Sequence, residues 1–381
     1  MTQRSPHAPH FHILVVGIDV FRHKNLQKTA ALIGHGVGFT VVPSKSTPEG
    51  LLGQSDSSNL KVMSAPQLFR RLRLVINMLV ALMTTPVSVV EIYPYGTITL
   101  IYWAIARLFR KPVIIIARGL EHQIESRRIR GTRLWSLTVV YRNASLVVYN
   151  ELYMKELLAG PLKVTRLEFI PNSVEAGEFV QDQTVEGCRF LYLNSLKSFR
   201  HPETVLDAFL QVCARRNFGQ GASTKLRIVG LRSGDGFRGN CDRETKLLRM
   251  VEGKSVPVEI LPWTEDVEQH YRWANVFVLP SDLVFLNYAL LEAMARGLPV
   301  IVQDTDGTER IVTSGVEGFI VGPSPEAWVA PIMKLIDDVA SRVEMGSAAR
   351  SKIQREFSSM ASSDEWYRCY KLASVPRDGV H

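Results

Sequence analysis

Short runs rich in β-branched residues alternate with longer stretches of helical period along the whole chain, and no other feature limits the fold more. The runs are almost continuously apolar, the pattern of parallel strands covered by helices on both faces. In the first half, strands are expected at residues 12–17, 39–42, 87–92, 113–117, 146–149 and 168–170. In the second half they are expected at 189–194, 226–230, 258–261, 276–279, 299–302 and 318–321. Twelve strands exceed what one open twisted sheet usually carries. The 381 residues therefore predict two α/β domains, each a doubly wound, Rossmann-like parallel sheet.

The break is expected in "FIPNSVEAGEFV", residues 169–180, where a strand runs into a Pro-Asn turn and a polar stretch precedes the next strand. This divides the chain into a first domain at 1–168, a linker at 169–182, a second domain at 183–358 and a terminal segment at 359–381. Two such domains leave a cleft facing the carboxyl ends of both sheets, where open parallel sheets bind ligands.

Apolar residues make up 46% of the chain and charged residues 22%, as in folded globular proteins. No apolar run reaches the roughly 20 residues that span a bilayer. The run at 97–109 comes nearest, and Arg107 interrupts it. The first residues, "MTQRSPHAPHFHILVVG", lack the charged-then-apolar plan of a signal peptide. Cys188, Cys213, Cys241 and Cys369 form no C-x-x-C pair and read as reduced thiols, which points to the cytoplasm.

The net charge of +8 is unevenly spread. Residues 118–142 hold Arg118, Arg127, Arg128, Arg130, Arg133 and Arg142 against Glu121 and Glu125. "LFRRLRLVINMLVALM", residues 68–83, places Arg70, Arg71 and Arg73 at the head of an apolar helix. Basic and apolar groups on one surface suit peripheral contact with an anionic membrane, here the inner face of the plasma membrane. Nucleic acid is a poor fit, because the aromatic residues that would stack bases are not interleaved with the basic ones. No His, Cys and carboxylate group has metal-ligand spacing, so no metal or other cofactor is expected.

The chemistry concentrates in "SDLVFLNYALLEAMARGLPVIV", residues 281–302: a turn, a helix starting near Asn287 and Tyr288, and a buried strand. The first amides of such a helix have no intrahelical acceptor and carry about half a positive charge, a ready seat for phosphate. Glu292, about one turn on, sits between apolar Leu291 and Ala293, where a carboxylate needs a partner. It is suited to accept hydrogen bonds from the vicinal hydroxyls of a ribose.

"LPSDLVFLNYALLEAMARGLPVIV" followed by "DGTERIVTSGVEGFIVGPS" resembles the signature of the retaining family-four glycosyltransferases (glycosyl transferases group 1), which have the GT-B fold. "FIPNSV", "FLYLNSLKSFRHPETVLDAF" and "ILPWTEDVEQHYRWANVFVLPS" resemble further pieces of that family in the expected order. The likeness is strong over 165–325 and weak before it, where "KPVIIIARGLE" is the best piece. It implies a GT-B enzyme that moves a sugar from a nucleotide diphosphate-sugar to a glycan or lipid-linked acceptor in cell-surface polysaccharide synthesis. The acceptor would lie on the first domain, and "DEWYRCYKLAS" would form a helix returning to that domain.

The resemblance also implies residue roles. Glu292 would hold the ribose, and the amides around Leu286, Asn287 and Tyr288 would hold the diphosphate and sugar. The family's phosphate-contacting Arg and Lys fall on Ser195 and Arg200, with Lys197 between them. Arg200 and Lys197 would neutralise the leaving diphosphate. The family's acidic residue eight positions before Glu292 is Val284, which accepts no hydrogen bond, and Asp282 is the nearby carboxylate. Arg118 stands where the family often has a donor-facing His, and Gly119 beside it allows close backbone approach. Gly17 ends the first strand without the family's usual Gly-Gly pair. The departures at Val284 and Ser195 motivate an alternative, a GT-B protein that binds a nucleotide or glycan without turnover.

Overall fold

The computed structural model describes residues 11–18, 23–43, 59–63, 70–94, 96–117, 129–150, 152, 154–175, 177, 187–231 and 241–375, with the backbone alone at 23–27, 70 and 241. Two compact units divide the chain: Met1–Ser173 with Ser359–His381, and Val174–Ser358.

The first unit holds β1 (Phe11–Val16), α1 (His23–Gly34), β2 (Val37–Val42), β3 (Leu60–Val62), α2 (Arg70–Thr84), β4 (Val89–Ile92), α3 (Ile98–Leu108), β5 (Val113–Ala117), α4 (Gly131–Asn143), β6 (Leu146–Tyr149), α5 (Met154–Ala159) and β7 (Leu167–Phe169). Its seven parallel strands run in the order β3-β2-β1-β4-β5-β6-β7. The order reverses between β1 and β4, the point where such sheets open at their carboxyl ends. β3 was absent from the expected strands. It is a three-residue edge that pairs with β2, and of its side chains only Leu60 is buried, so it has no apolar run to read.

Apolar side chains from α2, α3 and α4 share one core on one face of this sheet, with Leu74, Met78, Tyr102, Ala106, Leu137 and Val140 among them. Trp366, Cys369, Tyr370 and Ala373 of the terminal helix (Ser359–Ser374) join Ile13, Val15, Val89 and Ile114 in a second core. An ion pair lies inside this unit. Lys28 Nζ approaches both oxygens of Glu91 at 2.9 Å, the Tyr370 hydroxyl donates to Glu91 at 2.5 Å, and the Trp366 ring lies 3.5 Å from Lys28 Nζ. Burial alone would raise the Glu91 pKa; Lys28 and the hydroxyls of Tyr370 and Tyr93 outweigh it and hold the carboxyl below its ordinary range.

The second unit holds β8 (Arg189–Leu193), α6 (Pro202–Arg216), β9 (Lys225–Leu231), α7 (Cys241–Val251), β10 (Val258–Pro262), α8 (Glu268–Trp273), β11 (Val276–Leu279), α9 (Tyr288–Ala295), β12 (Val300–Gln303), α10 (Thr308–Ile311), β13 (Gly318–Val321), α11 (Pro325–Asp337) and α12 (Val339–Lys352). A π-helical stretch, Ile353–Phe357, leads out of it, and the terminal helix that follows in the first unit is α13. Its six parallel strands run β10-β9-β8-β11-β12-β13 and reverse between β8 and β11. Cys188, Cys213 and Cys369 are buried free thiols, and the side chain of Cys241 lies outside the described residues. Among the described residues no helix is long and apolar enough to cross a membrane, and no group of three metal-ligating side chains forms.

Candidate functional site

The loops that leave β8 and β11 meet at the reversal point of the second unit. Asn194 is the first residue beyond β8, and its Nδ2 donates to Asn287 Oδ1 at 3.2 Å. Asn287 caps α9: its Oδ1 accepts from the Leu290 amide at 3.3 Å, and its own amide donates to Val284 O at 3.1 Å. One side chain thus closes the helix start and ties it to the neighbouring loop. Between them Leu286 has φ +52°, a left-handed conformation that costs a non-glycine residue roughly 1–2 kcal/mol. Its side chain is buried and holds it there.

The β8 loop is fastened from below and from the side. The buried Tyr192 hydroxyl donates to Ser195 O at 3.1 Å, and burial keeps that phenol well above its ordinary pKa. Ser195 N donates to Asn194 Oδ1 at 2.9 Å. Arg243 of α7 donates to Lys197 O at 2.5 Å and also to Arg200 O, and its guanidinium pairs with Glu203 at 3.3 Å. Gly230, near the end of β9, leaves room for the Asn194 carbonyl, which a Cβ there would meet at 2.1 Å.

Arg200 is buried, and its Nη1 donates to Ser281 Oγ at 2.5 Å and Leu283 O at 2.7 Å. A cation there anchors the loop that leads into α9. Lys197, by contrast, is exposed, with its ammonium 5.8 Å from the Phe199 ring. Asp282 is exposed and already engaged: Oδ2 meets His201 Nε2 at 2.9 Å, and Oδ1 accepts from Gln303 at 3.2 Å. Val284 is fully buried.

Glu292 lies one turn into α9 and is half-buried. The Tyr271 hydroxyl donates to its Oε2 at 3.0 Å and to Ala289 O at 3.2 Å. Tyr271 is fully buried, and burial, reinforced by the Glu292 carboxylate, pushes its pKa well above the ordinary value, so the hydroxyl stays a donor. Arg296 stacks on the Tyr271 ring at 4.6 Å while bonding Glu292 O at 2.8 Å and Glu268 at 2.6 Å. The carboxylate amid apolar neighbours therefore has its partner in a tyrosine 21 positions earlier. A carboxylate offers about four lone-pair sites, so this bond leaves acceptor capacity.

Of the residues singled out in the sequence, Ser195, Lys197, Arg200, Asp282, Leu286, Asn287, Tyr288 and Glu292 gather beyond β8 and β11. Gly17 belongs to the other unit, where it follows β1 with φ +81° and a Cβ would meet Tyr93 O at 2.2 Å; backbone packing alone requires glycine there. Arg118 and Gly119 lie outside the described residues. Sequence reasoning missed Asn194, Tyr271, Arg243 and Gln303. Asn194 had a signal, a polar residue ending an apolar strand; the others act across 21 to 46 positions and had none.

Residues 188–338 match the family of glycosyl transferases group 1. D-inositol 3-phosphate glycosyltransferase of Corynebacterium jeikeium (strain K411) is 26% identical over 274 residues, 67% of this chain and 62% of that one. The chain thus spans less than two thirds of this relative's length. Sucrose-phosphate synthase from Thermosynechococcus elongatus superposes with a TM-score of 0.69 at 18% identity, covering 95% of this chain and 98% of the other. Anabaena HepE, solved in complex with UDP and glucose, gives 0.67 at 17% identity over 96% and 100%. The two parallel-sheet units have the GT-B fold.

Proposed function

From a second unit that is a glycosyl transferases group 1 domain on a GT-B scaffold, we propose that the chain transfers a hexosyl group from a nucleotide diphosphate-sugar to a glycan or lipid-linked acceptor, with retention at the anomeric carbon. The donor sits on the second unit and the acceptor on the first. The observation that carries this reading is the junction of the β8 loop with α9 through Asn194 and Asn287, with Glu292 one turn further on.

The amides at the start of α9 hold the diphosphate, where the helix dipole favours negative charge. Glu292, oriented by Tyr271, accepts from the ribose hydroxyls. In the transfer, the bond from the anomeric carbon to the phosphate oxygen breaks, a bond to an acceptor hydroxyl oxygen forms, the diphosphate leaves with the bonding pair, and the hydroxyl's proton passes to the departing phosphate oxygen. Lys197, exposed beside the site, and the helix amides stabilise that leaving group. Arg200 acts one step back, by fixing the Ser281–Leu283 turn that presents α9.

Titration calorimetry with UDP, GDP and their sugars tests the reading. Glu292→Ala is expected to weaken binding by roughly tenfold to a hundredfold, the worth of hydrogen bonds to a charged group, with the chain still folded. Equal affinity in the variant and the parent contradicts it. Val284, buried and apolar where the resembled family has a carboxylate, favours a second reading: a binder without turnover. Product formation from a panel of nucleotide sugars decides between the two, since the binder gives a thermal shift and no product.

A further inference from the structure

Helices α2, α3 and α4 of the first unit form one layer: they share one core on one sheet face, and α3 packs against both neighbours. A helix covering a sheet normally turns its other side to water with polar residues. These do not. On α2 the helical period lines up Leu72, Ile76, Leu79 and Met83 on a stripe nearly opposite the buried Leu74, Met78 and Ala81. On α3, Ile101 and Leu108 lie opposite Tyr102 and Ala106 in the same way. Trp135 extends the surface onto α4.

Met83 is 68% exposed, Leu108 79% and Trp135 61%. Among the described residues, six of the thirteen exposed large apolar side chains fall on these three helices of 15, 11 and 13 residues. Contiguous exposed apolar surface on this scale marks an interaction site. The charge pattern says with what. The three helices contain no Asp or Glu, while Arg71, Arg73, Arg107 and Arg133 are exposed on them.

We propose that the outward face of α2, α3 and α4 docks on an anionic phospholipid bilayer. The apolar side chains enter the headgroup boundary while the arginines, whose long stems follow the apolar surface, meet lipid phosphates. A basic protein surface for nucleic acid would not need the Leu72–Met83 stripe, and a protein partner would be expected to meet some acidic residue in return for its own basic ones. This surface stands independently of the donor site, and it places the chain where a lipid-linked acceptor is found.

Flotation of the full chain with vesicles of phosphatidylcholine alone, and of phosphatidylcholine mixed with phosphatidylglycerol, tests the proposal. The chain is expected to float with the mixed vesicles at low salt and to remain in solution with phosphatidylcholine alone. The triple variant Arg71→Ala, Arg73→Ala, Arg107→Ala is expected to lower partitioning on the order of a hundredfold, each basic group being worth about fivefold. Leu72→Ser with Leu108→Ser is expected to lower it at least tenfold, with nucleotide affinity and melting temperature unchanged because both side chains are exposed. A chain left in solution with the mixed vesicles overturns the proposal. So do variants that float like the parent, a face that binds oligonucleotides in preference to vesicles, and a dimer in sedimentation that the Leu72→Ser, Leu108→Ser variant dissociates.

Discussion

The two units share a sheet plan and use its reversal point differently. In the first, the strands that flank the reversal, β1 and β4, end in closely packed backbone, with Tyr93 N donating to Val16 O at 2.9 Å and Gly17 packed on the Tyr93 carbonyl. The charged group on β4, Glu91, turns into the core and pairs there with Lys28 and the Tyr370 hydroxyl, while the Trp366 ring covers the Lys28 ammonium. In the second, the polar groups lie beyond the strand ends. Asn194, Ser195, Lys197 and Asp282 stay at least partly exposed around a helix start. Among the described residues, the charged group of the first unit is paired inside its core, whereas those of the second lie beyond the strand ends, where open parallel sheets bind ligands.

The largest test of that contrast is Glu91→Ala. It leaves the Lys28 ammonium buried without its carboxylate and is expected to destabilise the first unit by about 3–5 kcal/mol in denaturant melts. Lys28→Met with Glu91→Leu, which removes both charges, should recover most of the loss. A small effect from the single variant would mean that the pair is not sealed in the core. Because the folded Glu91 pKa is depressed, its stabilisation is full above the ordinary carboxylate pKa and is lost as pH falls through the lower folded value. The acid limb of stability against pH should therefore flatten in Glu91→Leu with Lys28→Met.

In the second unit the matching change is Gly230→Ala. Its Cβ meets the Asn194 backbone oxygen, so the expected cost is about 1–3 kcal/mol. The displaced Asn194 should also reduce UDP or GDP affinity, whereas Glu91→Leu with Lys28→Met should leave affinity unchanged. If both variants changed affinity alike, the contrast between the units would fail. Asn287→Ala should have the smallest effect, about 1 kcal/mol in stability from the lost helix cap, accompanied by weaker nucleotide binding. Weaker stability with undiminished binding would separate the cap from the site.

Much of this architecture is legible in the chain, because a buried parallel strand must be apolar along its length. Val113–Ala117 and Val276–Leu279 announce themselves in that way, and β3, with one buried side chain, does not. The start of α9 is legible for a different reason: Asn287 is a capping residue at the edge of an apolar helix. What the sequence cannot display is the partner of a charge. Glu292 is conspicuous among Leu291, Ala293 and Met294, but Tyr271 is ordinary until the fold brings its hydroxyl to 3.0 Å. Arg200 likewise reads as a phosphate ligand, and the structure finds its guanidinium bound to Ser281 and Leu283.

The central claim is that α9 grips a diphosphate at its amino end while the acid on its second turn holds the attached pentose. Crystallography of the chain with whichever of UDP or GDP binds more tightly tests this directly. The account predicts phosphate oxygens within hydrogen-bond distance of the Tyr288 and Ala289 amides and both ribose hydroxyls on the Glu292 carboxylate. A nucleotide seated elsewhere on the chain, or one whose ribose leaves Glu292 bonded to Tyr271 alone, would contradict it.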